Sequence, residues 1–129
     1  MAKGLREKEG KINFPKRGEI YLVEFDPTRG HEIQKTRPAL IIQNDIGNRY
    51  SPITIVAAIT SKFNTPPHPT DVIVEQIHSG LSLRSAVVVN QIRSVDRESL
   101  VRRLGRLDDT AMSQVDQALR ISLDLLDVY

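Results

Sequence analysis

Ile53-Thr54-Ile55-Val56-Ala57-Ala58-Ile59-Thr60 is the stretch on which the fold turns: six of its eight residues are β-branched, and it holds no glycine or proline. Such a run reads as a strand that is apolar on both faces, as a strand in the middle of a sheet is. It is bounded on both sides. Downstream, residues 61–70 carry Pro66, Pro67 and Pro69 and must form a loop, because proline removes the donors a ladder needs. Upstream, Asn44-Asp45-Ile46-Gly47-Asn48 reads as a loop. Before it, Arg37-Pro38-Ala39-Leu40-Ile41-Ile42-Gln43 is a second doubly apolar run.

Further out the pattern repeats. Glu19-Ile20-Tyr21-Leu22-Val23-Glu24-Phe25 is rich in β-formers and ends at the turn cluster Asp26-Pro27-Thr28-Arg29-Gly30. Asp71-Val72-Ile73-Val74-Glu75 alternates, and residues 86–92 form another β-branched run after a connection containing Gly80. Asp96 is placed to cap one helical turn, and residues 100–107 read as a last strand with arginines at 102, 103 and 106. The end is helical: Met112, Val115, Leu119, Leu123 and Leu126 recur at steps of 3, 4, 4 and 3. Asp108 suits the N-cap, with Leu107 and Met112 placed as a hydrophobic staple. Strands separated by loops rather than helices disfavour a doubly wound parallel fold. The expectation is a mainly β (α+β) protein, a small barrel or strongly curved antiparallel sheet closed by a C-terminal amphipathic helix.

The length of 129 residues suits one domain. Hydrophobic residues at 40% and charged residues at 26% are ordinary for a protein with a packed core. The net charge of +2 is unevenly placed: residues 1–17 hold six basic and two acidic side chains, whereas the remaining 112 residues hold 12 basic and 14 acidic ones. Nucleic-acid contact would therefore come from local patches, not bulk charge. Residues 1–15 read as a basic, flexible N-terminal extension, either a solvated leader or a phosphate-grabbing arm, and residues 16–129 as the domain. With no apolar h-region in the first residues and no run approaching a membrane span, the expectation is a cytoplasmic protein without a membrane partner.

Several chemistries have no visible home. There are no cysteines, which removes disulfides, thiolate catalysis and Cys-based metal sites. No glycine-rich phosphate loop and no Gly-x-Ser-x-Gly elbow is present. His31-Glu32-Ile33-Gln34-Lys35 falls one histidine short of a zinc-protease motif, and His31, His68 and His78 lack ligand spacing. No metal or cofactor is expected. What remains is a set of polar groups at strand ends. If the second and third strands pair antiparallel, the start of one lies near the end of the other, which sets Arg37 beside Thr60. An arginine next to a hydroxyl at a sheet rim can bind phosphate; it can equally pair with a nearby carboxylate.

The residues also resemble a known family. Lys16-Arg17-Gly18-Glu19-Ile20-Tyr21, Phe25-Asp26-Pro27-Thr28, and Gly30-x-Glu32 followed by Arg37-Pro38 look like the opening of a MazF/PemK-type toxin. The similarity runs on through Gln43-Asn44-Asp45-Ile46-Gly47-Asn48, Ile55-Val56-Ala57-Ala58-Ile59-Thr60, Asn90-Gln91-Ile92-Arg93 and the Leu107-Asp108-Asp109 helix start, from residue 16 to about 126. The resemblance implies an SH3-like barrel working as a homodimer. It implies a metal-free endoribonuclease that cuts single-stranded RNA at a short sequence and is neutralised by a cognate antitoxin. On this pattern Arg37 and Thr60 match the catalytic arginine and hydroxyl residue, and Glu32 matches a loop acid of varying role. His31 is given no catalytic part.

RNA cut by its own 2′-OH needs stabilisation of phosphorane charge, removal of the 2′ proton and protonation of the leaving 5′ oxygen. Arg37 suits the first, since an arginine is an inefficient proton carrier near neutrality. Thr60 suits a hydrogen bond to a non-bridging oxygen. Glu32 is the candidate base, or a group that positions Arg37. Arg29, Gln34, Lys35, Asn44, Asn48, Arg49, Ser61, Lys62, Phe63 and Gln91 are the candidate RNA contacts, with Phe63 or Tyr50 for stacking. Turn formation is the competing role of Asn44 and Asn48 beside Gly47. The alternative function is a non-catalytic, CcdB-like toxin that binds DNA gyrase on the same barrel; a degenerate member that binds only its partner would need a damaged motif.

Overall fold

Strands that are apolar on both faces belong in the middle of a sheet, and the two such runs in this chain are central. The structure, a computed structural model, describes residues 14–25, 36–77 and 79–125. The elements in chain order are β1 (Glu19–Glu24), β2 (Thr36–Ile41), α1 (Asp45–Tyr50), β3 (Ile53–Thr60), β4 (Asp71–Val74) and β5 (Ser85–Asp96). A 3-10 turn (Arg97–Ser99), β6 (Leu100–Arg106) and α2 (Asp109–Ser122) follow. The strands form one six-stranded sheet in the order β4-β5-β3-β2-β1-β6, each neighbouring pair antiparallel and the sheet open at its edges.

Residues directly opposite each other in an antiparallel pair share a face, so the register sorts the core in two. On one face Ile20, Leu40, Ala57, Ile59, Val87 and Val89 pack with Val115 and Ala118 of α2, which lies against β4 and β5. On the other, Tyr21, Val23, Ala39, Ile41, Val56, Val95 and Leu100 form a second cluster with Phe25 packed on it. This second face is covered by the curl of the sheet itself. Phe25 follows β1 and Arg93 lies on β5, with two strands between them in the sheet, yet the Arg93 guanidinium sits 4.9 Å from the centre of the Phe25 ring. The sheet is a trough.

Six details differ from the sequence reading or refine it. Asn44 to Asn48 is not a loop: Asn44 caps the short α1, its Oδ1 accepting the Gly47 N–H at 2.7 Å. β5 runs four residues past Ile92, to Asp96, through Arg93 and Ser94, where the apolar run is broken. Its register against β3 shifts between Ala57↔Ile92 and Ala58↔Val88, leaving residues 89–91 without partners on β3. Asp96 occupies the cap position of the 3-10 turn but makes no side-chain cap bond. Asp108 does cap α2, accepting the Ala111 N–H at 2.8 Å, and its buried stripe is Val115 and Ala118 with Met112 and Leu119, while Leu123 is exposed and Leu126 lies outside the described residues. At the start of the chain the packed body reaches back past Lys16, since Pro15 is fully buried.

Candidate functional site

The β2–β3 register builds the site. Ala39 opposes Ala58, Leu40 opposes Ala57 and Ile41 opposes Val56. Continued two residues, that register sets Arg37 opposite Thr60. The paired ladder itself ends at Ala39, next to Pro38, which has no N–H to extend it, while pairing with β1 continues to Thr36. Released from each other there, the two strand ends open a cavity of about 310 Å³ lined by residues 36–38, 59–62, 81–83 and Ser85. Arg37 and Lys62 are the charged residues among these, and no carboxylate is. Ile59 and Leu81 make a buried apolar floor, with hydroxyls of Thr60, Ser61 and Ser82 around it.

Arg37 is exposed and makes no hydrogen bond or ion pair with any described residue. Among the described residues it thus has no carboxylate partner, unlike the usual arginine at a strand start. Thr60 is fixed by its own turn: Oγ1 accepts the Lys62 N–H at 3.1 Å and donates to the Lys62 carbonyl at 3.2 Å. An oxygen held in this way can turn its proton to an anion in the cavity while its acceptor side stays anchored.

The far wall comes from the chain before β5, and the anchor of that wall is backbone packing. Gly80 has φ +78°, and a Cβ there would lie 1.8 Å from the Leu104 carbonyl oxygen. No other residue fits. Ser79, buried beside it, donates to the Glu75 carbonyl at 2.9 Å and accepts the Leu81 N–H at 3.2 Å, which holds the turn shut. Behind the wall the Arg84 guanidinium is 5.8 Å from the Phe63 ring centre and pairs with Glu75 at 2.9 Å. Phe63 stands outside the cavity lining.

The expected contacts therefore separate. Ser61 and Lys62 line the cavity with Arg37 and Thr60. Gln91 is exposed in the unpaired stretch of β5, opposite the middle of β3. Asn44, Asn48, Arg49 and Tyr50 lie at the other end of the β2–β3 pair, roughly 13 Å along the strands from Arg37 at about 3.3 Å per residue. Asn48 has no surface to offer RNA: it is 0% exposed, and both ends of its amide are fully engaged. Its Nδ2 donates to the Gln43 carbonyl and Asp45 Oδ1; its Oδ1 accepts from Thr54 Oγ1 at 2.6 Å and Gln43 Nε2 at 3.0 Å. Its place is structural, a bridge from α1 to Gln43 and β3 instead of a turn former. Glu32, Arg29, Gln34 and Lys35, like His31 and His78, lie outside the described residues. Ser82, Ser85 and Leu81, absent from the sequence-derived set, are brought to the site by the Gly80 turn, whose Ser-Gly dipeptide was the one local signal.

Among the described residues no helix is long and apolar enough to cross a membrane, and no group of three or more His, Asp or Glu side chains lies together in a ligand arrangement.

Comparison with known proteins shows which family and fold the chain shares. Endoribonuclease EndoA of Bacillus subtilis (strain 168) is 44% identical over 112 residues, covering 87% of this chain and 97% of that protein. Among solved structures, the Mycobacterium tuberculosis toxin MazF-mt6 superposes with a TM-score of 0.71 at 24% identity, over 85% of this chain and 99% of that one. An endoribonuclease in complex with its cognate antitoxin from Mycobacterial species gives a TM-score of 0.70 at 24% identity, over 87% and 97%. At these identities the structures speak for the fold. Residues 16–123 match the model of the PemK-like, MazF-like toxins of type II toxin–antitoxin systems, and the chain belongs to that family.

Proposed function

We propose that this chain is a toxin endoribonuclease that cleaves single-stranded RNA at a short sequence, acts as a homodimer in the cytoplasm, and is neutralised by a cognate antitoxin. The observation that carries the reading is that Arg37 and Thr60 line one open cavity in which no carboxylate stands among the described lining residues. The family, the name of the 44%-identical relative and the antitoxin complex of a structural neighbour support it.

In the proposed reaction the 2′ oxygen of the substrate forms a bond to phosphorus as the bond from phosphorus to the 5′ oxygen breaks. The 2′ proton leaves to a base and the 5′ oxygen gains a proton, giving a 2′,3′-cyclic phosphate and a 5′-OH; no water is consumed and no redox change occurs. Arg37 directs its forked N–H groups at the non-bridging oxygens, where the extra negative charge develops, and a preorganised donor of this kind contributes about 3–4 kcal/mol. Thr60 donates a hydrogen bond to one of the same oxygens in place of its long bond to the Lys62 carbonyl. Lys62 adds a second positive charge at the rim. Glu32 is assigned the base role or the positioning of Arg37. Ser61, Phe63, Gln91, Arg29, Gln34 and Lys35 are assigned to the substrate around this point, and Asn44 to a more distant nucleotide.

The test is to incubate the purified protein with mixed-sequence RNA in EDTA and map the ends. Discrete cuts with 5′-OH ends, abolished by a 2′-deoxy nucleotide 5′ of the scissile bond, are expected. Cutting of the deoxy substrate would make water the nucleophile. Intact RNA together with trapped gyrase would install the CcdB-like alternative.

A further inference from the structure

The arginines of the trough face are treated in two ways. Arg103 lies opposite Tyr21 and is held by Glu19 at 2.9 Å. Arg93 lies opposite Val56 on the same face, is exposed, and has neither a hydrogen-bond partner nor a carboxylate among the described residues. Its guanidinium rests 4.9 Å from the centre of the Phe25 ring. A ring face fixes a guanidinium without using any of its five N–H donors, so the group is oriented but chemically unspent.

Phe25 also says where that group ends up. Val23 opposes Arg37, and Glu24 opposes Thr36. Phe25 is therefore the diagonal neighbour of Arg37 on the same face, and such neighbours stand about 7–8 Å apart. The long Arg93 side chain thus leaves its own row on β5 and delivers its charge to the end of the trough where Arg37 and Thr60 sit. Two guanidinium groups toward one end of the trough, neither with a side-chain partner among the described residues, and no carboxylate among the described residues lining the cavity beside Arg37, favour a polyanion that offers more than one phosphate.

Resting on the ribonuclease reading, we infer that Arg93 binds the phosphate of a nucleotide neighbouring the scissile one, and that Phe25 is the positioning residue that aims it. Arg93 thereby acts in substrate binding and not in the chemical step.

The experiment measures the affinity of a substrate oligonucleotide, made uncleavable by a 2′-deoxy group at the scissile nucleotide, across a salt series. Each phosphate contact to a single strand contributes about 0.7 to the slope of log K against log salt. Arg93→Gln is expected to lower the slope by about 0.7 and Arg93→Lys to retain it. With cleavable RNA, Arg93→Gln raises KM at unchanged kcat, and Phe25→Leu does the same more weakly. A wild-type slope and affinity in Arg93→Gln, with or without a lower melting temperature, overturns the inference, because the pair then only covers the trough core. If the wild type binds and cuts no RNA at all, both readings fall together.

Discussion

The two ends of the β2–β3 pair are built from similar residue types put to opposite uses. At the α1 end, Asn48, Thr54, Gln43, Asp45 and Arg17 satisfy one another. Arg17 donates from Nε to the Ile42 carbonyl at 2.8 Å and pairs through Nη2 with Asp116 of α2 at 2.7 Å, while its backbone N–H reaches Asp45 at 2.7 Å. Among the described residues no buried side-chain nitrogen or oxygen lacks a partner. At the other end, Arg37 and Thr60 line an open cavity, and among the described residues the arginine has no partner and the hydroxyl is tied to its own turn alone. A saturated polar network holds a fold together; an unsaturated one of the same chemistry is available to a ligand. The contrast assigns stability to one end and activity to the other.

That division can be broken by experiment. Arg37→Ala should lose cleavage by about 10²–10³-fold or more while changing the free energy of unfolding by less than about 0.5 kcal/mol. A comparable loss of stability would show that the arginine holds the fold. Asn48→Ala should behave in the reverse way. It strands the Thr54 hydroxyl and takes the Asn48 donor from the Gln43 carbonyl, costing about 2–3 kcal/mol in denaturant titrations, with the cleavage rate per folded molecule unaltered. Thr60→Val tests the middle of the scale: removing a hydrogen bond to a charged oxygen costs about 1.5–3 kcal/mol, so cleavage should fall roughly 10–100-fold at near-constant stability.

The smallest effect belongs to Tyr21, midway between the ends. Burial, then the neighbouring Glu19, pushes its phenol above the ordinary tyrosine value, while Arg103 pulls the other way. Above pH of about 10 the unfolded chain releases this proton and the folded chain keeps it, so stability declines as pH rises through that region. Tyr21→Phe should flatten the alkaline limb of a stability–pH curve and leave the neutral plateau nearly unmoved.

Much of this was open to a reader of the chain alone. β3 was legible to the residue, because a β-branched run between a loop and a proline cluster has few other readings. The Arg37–Thr60 meeting was legible on one assumption, antiparallel pairing, which the register bears out. α1 was missed because six residues are too few to display a helical period, and Asn-Gly chemistry reads as a turn. Asn48 reads from the sequence as an RNA contact or a turn former because residue type says nothing of burial. The wall formed by residues 81–85 was invisible for a different reason: it touches residues 36–38 only through folding, and no local pattern records a contact so distant in the chain.

Alternation, β-branching, proline placement and a capped apolar stripe determined by themselves that this chain forms a mainly antiparallel sheet closed by a helix, since those preferences act within a few residues. Which polar groups end up saturated and which stay free was decided only in three dimensions. Hydrogen-bond satisfaction depends on what the rest of the chain brings alongside, and here α1 and Arg17 enclose one strand end while Pro38 parts the strands at the other.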